Sequence, residues 1–150
     1  MRVPPPAQHK ILLVDDNPDG LLVRRSVLEE LGYAVHIAGT VEEGLKLFES
    51  RTFDVVVADY RMPRMNGVEL IQRMRKVNPN ARIILLSGFV EPLGLTEQNT
   101  GADTVISKSA NEAAQLVRSI RRLANLTSQR KPPAAQKNAA ARARARASVR

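Results

Sequence analysis

The chain has no cysteine and no tryptophan, and only 2 tyrosines and 3 phenylalanines among its 150 residues. Without thiols there are no disulfides, no thiolate metal site and no cysteine nucleophile. With aromatic residues at 3%, little is available to stack on nucleic-acid bases. No apolar run approaches the length that crosses a bilayer, and the leader Met1-Arg2-Val3-Pro4-Pro5-Pro6-Ala7-Gln8 lacks the apolar core of a secretory signal. Membrane insertion is therefore not expected, and a cytoplasmic location is.

What is present is unevenly distributed. The formal net charge is +8, but residues 130–150 hold 7 of the 23 basic side chains and no acid, leaving 16 to face all 15 acids in the rest of the chain. The body is nearly neutral, and the basicity belongs to the tail. That tail runs through Pro132-Pro133 into an Ala/Arg alternation from Ala139 to Ala147, which cannot bury a core and reads as disordered. It is too short for a helix-turn-helix domain. As a polycation without interleaved aromatics, it could bind polyanions such as nucleic acid only non-specifically and in a salt-dependent way. The expected organisation is a leader at 1–9, one domain at 10–126 and the tail at 127–150.

Residues 10–126 alternate short apolar runs with stretches of helical period, five βα units in all, which predicts an α/β fold with a parallel sheet. The first strand spans about Lys10–Asp15. Asn17-Pro18 then supplies an N-cap and a proline at the first helical position, with Val23, Val27 and Leu31 as the predicted buried stripe. Gly32 ends that helix, and Ala34–Ala38 is a short strand. Thr40-Val41-Glu42-Glu43 reads as a capping box opening a helix whose core face is Val41, Leu45 and Phe48. After the strand Val55-Val56-Val57-Ala58, the loop Tyr60–Gly67 leads to a helix with Leu70, Ile71, Met74 and Val77 inward. Arg82–Ser87 and Thr104–Ser107 are the last two strands. The helix near Glu91–Thr100 contains Pro92 and Gly94 and should be short or mobile. A final helix carries Ala113, Leu116, Val117, Ile120, Leu123 and Ala124 on one face.

The chemistry gathers at strand ends. Asp15 and Asp16 follow the first strand, Asp59 ends the third, Ser87 the fourth, and Lys108 follows the fifth. A parallel sheet brings its carboxyl ends to one edge, so these residues can share a ligand. Three carboxylates in contact repel one another, and the arrangement makes sense if a hard divalent cation and the Lys108 ammonium neutralise them; Mg²⁺ suits oxygen-only ligands. By contrast, Asn66-Gly67 reads as a backbone element that caps a helix and permits a turn, and neither His9 nor His36 has a catalytic setting.

Asp15-Asp16, Asp59, Met62-Pro63-Arg64-Met65-Asn66-Gly67, Ser87-Gly88, Gly101-Ala102-Asp103 and Lys108, in this order, closely resemble the receiver domain of bacterial two-component response regulators. The resemblance covers about Lys10–Leu126. It implies a flavodoxin-like (βα)5 sandwich of strand order 2-1-3-4-5, with Asp59 as phosphoacceptor for a phosphohistidine on a sensor histidine kinase or phosphotransfer protein. It further implies Mg²⁺ held by Asp15, Asp16, Asp59 and the backbone carbonyl of Arg61, with Ser87 and Lys108 contacting phosphoryl oxygens. A stand-alone switch that acts on a downstream protein, rather than an enzyme, is the expectation.

Two positions depart from the family pattern. Val105 stands where an aromatic ring usually reports phosphorylation, and Ser109 follows the lysine where proline is common. Two rivals use related parts. An aspartate-nucleophile phosphatase of haloacid-dehalogenase type would need an acid two residues after Asp59, where Arg61 stands. A flavodoxin would need a phosphate-cradling loop where Asp15-Asp16 would repel the phosphate.

Overall fold

A computed structural model describes residues 8–88, 94–109 and 111–129, with side chains placed through Leu126. Five strands, β1 (Lys10–Val14), β2 (Ala34–Ala38), β3 (Val55–Asp59), β4 (Ile83–Ser87) and β5 (Thr104–Ser107), pair in parallel in the order β2-β1-β3-β4-β5. The register runs Ile11 with Val35 and Val55, Val57 with Ile84, and Leu85 with Val105. The helices are α1 (Pro18–Glu30), α2 (Val41–Ser50), α3 (Gly67–Val77), α4 (Glu97–Thr100) and α5 (Glu112–Gln129). The architecture is the expected flavodoxin-like α/β sandwich.

Side chains alternate across a strand, so a strand covered on both sides must be apolar throughout. This is why Val55-Val56-Val57-Ala58 is a continuous run. Val56 and Ala58, with Leu12, Ile83 and Leu85, meet α2 and α3 through Val41, Phe48, Leu70, Ile71 and Met74. Val55 and Val57, with Ile11, Leu13, Ile84 and Leu86, meet α1 and α5 through Leu21, Leu28, Leu116, Ile120 and Leu123. Among the described residues no helix is long and apolar enough to cross a membrane.

Several local expectations change. On α1 the stripe Val23, Val27, Leu31 is not the buried one: Val23 is 63% exposed, while Leu21 and Leu28 face the sheet. The three-residue steps between Leu21, Arg24 and Val27, and the seven-residue step from Leu21 to Leu28, place Arg24 close to the inward side, a position that pattern reading withholds from a charge. Val77, at the last position of α3, is also exposed rather than inward. On α5, Leu116, Ile120, Leu123 and Ala124 are buried, whereas Ala113 is exposed and Val117 only half-buried. The Thr40 hydroxyl accepts from the Glu43 amide as expected, but the Glu43 carboxylate takes the Gly39 amide at 2.9 Å instead of closing the box on Thr40. The helix expected over Glu91–Thr100 is a single turn from Glu97; residues 91–93 lie outside the described residues, as do most of the leader and the basic segment 130–150.

Candidate functional site

The hydrogen-bond ladder continues past the strand ends and sets the site's frame. The Asp15 amide donates to the Ala38 carbonyl, Tyr60 to Leu86, and Lys108 to Ser87 at 2.9 Å. All five polar residues singled out from the sequence therefore stand on one edge of the sheet. Asp15, Asp16 and Asp59 each offer a carboxylate oxygen, and these oxygens lie within 4.8 Å of one another. Asp15 and Asp59 are buried, while Asp16 is exposed to the mouth. Lys108 Nζ sits 2.6 Å from Asp59 Oδ1. Ser87, fully buried, ends the neighbouring strand. Arg61 lines a shallow cavity of about 440 Å³ at the same edge, with Asp16, Tyr60, Met62, Pro63 and Asn66.

Burial pushes the Asp59 carboxyl above its ordinary value, and the Asp15 charge adds to this; the hydrogen bond and charge of Lys108, with Arg24 beyond it, pull the other way without prevailing. Without a metal, then, this acid resists ionisation. A cluster of three hard oxygen donors, one of them the carboxyl in that state, fits a small divalent cation, whose charge would favour the ionised form.

The loop after β3 is shaped to keep this acid in place. The Gly67 amide donates to the Tyr60 carbonyl at 2.8 Å. A Cβ on Gly67 would lie 2.5 Å from Leu85 Cδ1 and 2.8 Å from the Asp59 carbonyl oxygen, so only glycine allows this approach. Asn66 caps α3 through the Glu69 amide, and Glu69 returns the bond to the Asn66 amide. The backbone role read for Asn66-Gly67 is thus observed. Between them and Asp59, Arg64 adopts φ +76°, a left-handed conformation uncommon outside glycine.

Two charged residues at the site escaped the sequence reading. Arg24 donates from Nη1 to Asp15 Oδ2 at 2.9 Å and from Nε to Glu112 Oε2 at 2.7 Å, bridging α1, the end of β1 and the start of α5. Burial disfavours its charge, but the bonds and charges of Glu112 and Asp15 prevail and hold the guanidinium above its ordinary value. The other Asp15 oxygen accepts the Asn17 amide at 3.0 Å. A signal for Arg24 existed in Gly20, one turn earlier: a Cβ there would meet Arg24 Nη1 at 2.9 Å. Val105 is half-buried on β5 against the α2/α3 layer, and its amide donates to Glu97 Oε2 on α4. The Lys108–Ser109 bond is trans.

Comparison with known proteins matches this geometry. The family model of the response regulator receiver domain matches residues 11–121. A probable transcriptional regulator, ycf27, of Cyanidium caldarium is 33% identical over 129 residues, 83% of this chain and 51% of its own length, so the chain spans about half of that relative. A receiver domain protein (CheY-like) from Methanospirillum hungatei superposes with a TM-score of 0.75 at 31% identity, covering 82% of this chain and 98% of its own. The response regulator TrrA of Thermotoga maritima, solved in complex with Mg²⁺ and BeF, gives 0.70 at 33% identity, covering 77% and 99%. With the family model covering most of the chain and the same fold in these relatives, the protein belongs to the response regulator receiver domain family of two-component signalling.

Proposed function

We propose that Asp59 accepts a phosphoryl group from the phosphohistidine of a sensor histidine kinase or phosphotransfer protein, and that the modified domain is read by a downstream protein in the cytoplasm. Residues 10–126 form the switching unit in this reading, with 1–9 and 127–150 as appendages. The observation that carries it is the convergence of Asp15, Asp16, Asp59 and Lys108 at one sheet edge, with carboxylate oxygens within 4.8 Å and an ammonium 2.6 Å from Asp59.

Asp15, Asp16, Asp59 and the Arg61 backbone carbonyl are the groups that would hold Mg²⁺. Bound there, the ion supplies positive charge to the phosphoryl oxygens. An Asp59 carboxylate oxygen attacks phosphorus in line, and the bond to the donor nitrogen breaks. Lys108 already bonds one Asp59 oxygen. As charge moves onto the transferring group, the ammonium and the Ser87 hydroxyl are the fixed partners at hand on adjoining strands. Burial of the pocket limits competing water.

The product carries roughly −1.5 to −2 charge units in place of the single charge of the carboxylate, at a packed edge, which forces Lys108 and its surroundings to choose between old and new partners. With Val105 in place of a ring, no aromatic rotamer on β5 can carry that choice outward. The chain is incubated with acetyl phosphate and Mg²⁺ and its intact mass measured: addition of one phosphoryl group is expected. Asp59→Asn or chelation of the metal should abolish it, and catalytic turnover of phosphomonoesters instead would overturn the reading.

A further inference from the structure

We propose that Arg24 is a positioning residue of the carboxylate pocket, which holds Asp15 and passes the pocket's occupancy to α5 through Glu112. The inference rests on the proposed use of Asp15 as a metal ligand.

Two observations support it. The first is geometry. One guanidinium spans two acids on different elements, Asp15 at 2.9 Å and Glu112 at 2.7 Å, with Arg24 itself 14% exposed. A planar fork that serves two carboxylates divides its attraction between them, so whatever draws charge from one tightens the other. A divalent cation on Asp15 does this: its charge repels the guanidinium and shifts Arg24 toward Glu112, at the first position of α5.

The second is Gly20. Glycine inside a helix costs stability relative to alanine, and at this position a Cβ would lie 2.9 Å from Arg24 Nη1 and 3.5 Å from Asp15 Oδ2, so the end of the arginine would have to shift to admit it. The helix gives up propensity where the contact needs room. Beyond Glu112, α1 and α5 flank a groove of about 380 Å³ floored by Leu28 and Leu116, with Val23, Val27 and Val117 on its walls. A shift in α5's first turn would alter that groove.

The experiment compares Mg²⁺ affinity by calorimetry, in the absence of any phosphodonor, for the full chain and three variants, with amide and Arg Nε–H resonances followed by NMR. Gly20→Ala changes no charge and improves helix propensity, so it folds; it should dislodge the guanidinium from Asp15 and tighten Mg²⁺ by about fivefold or more. Arg24→Gln should act in the same direction. Glu112→Gln leaves Arg24 to Asp15 alone and should weaken Mg²⁺ by a similar factor. In the wild type, Mg²⁺ should move the Arg24 Nε–H and the amides of Glu112–Leu116; in all three variants the α5 response should vanish. If the wild type binds Mg²⁺ and the variants match it within twofold, or α5 responds equally in all, Arg24 is only a brace and the inference falls. A wild type that binds no Mg²⁺ overturns the metal reading itself.

Discussion

Two cations that bond the pocket's acids, Lys108 and Arg24, are held in opposite ways. Lys108 stands on the loop after β5, 32% exposed, with its ammonium on one acid, Asp59. Arg24 stands inside α1, 14% exposed, with its guanidinium shared between Asp15 and Glu112. A compact charge on a flexible stem can follow an incoming phosphoryl group, whereas a planar fork fixed at both ends can only redistribute its bonds. Under the proposed function, that difference would separate a residue that takes part in the transfer from one that registers it.

The most damaging test of that contrast is Lys108→Ala. It should slow phosphoryl incorporation from acetyl phosphate by about 10²–10³-fold, the scale seen for loss of one fixed transition-state partner. Arg24→Gln should alter the rate by less than about tenfold; equal losses would erase the distinction. Next in size, Leu28→Ala should lower stability by about 2–5 kcal/mol in denaturant unfolding, because this residue seals the layer that carries Arg24.

A third test uses pH in the metal-free protein. The folded pocket raises the Asp59 pKa by burial, so the stability tied to this group is present below its ordinary value of 3.8 and is lost as pH rises through the folded value. Asp59→Asn should therefore raise the melting temperature at neutral pH by a few degrees. The gain should disappear toward pH 4, and added Mg²⁺ should stabilise the wild type but not the variant to the same extent. The smallest effect is expected at Val23→Ser. On the exposed flank of α1 it should stay within about 0.5 kcal/mol of wild type, and a larger loss would mean that α1 is packed as its apolar pattern first suggests.

Strand positions were legible because each is a short apolar run closed by a polar residue, and a parallel sheet leaves few places for such ends to go. The acids, Ser87 and Lys108 were found for the same reason. Asn66 was legible as a cap from its residue type before Gly67 at the head of a helical run, while the return bond from Glu69 was not foreseen. The stripe of α1 was not, since its sequence offers two apolar lines, Leu21–Leu28 and Val23–Val27–Leu31. Composition favours the line free of charge. The structure selects the line beside Arg24, because Asp15 and Glu112, 9 and 88 residues away, satisfy the guanidinium that local reading keeps in water. Glu112 likewise reads as an ordinary acid in a helix's first turn until the fold brings Arg24 to it.

The close fit of Gly20 under Arg24 also makes the two positions epistatic. A Cβ at 20 would lie 2.9 Å from Arg24 Nη1 and crowd the end of that side chain, so an alanine there should perturb the pocket more while the arginine is present. Gly20→Ala combined with Arg24→Leu should therefore depart from the sum of its parts. A mutational route to or from this pairing should then be smoother when the glycine arrives first and leaves last.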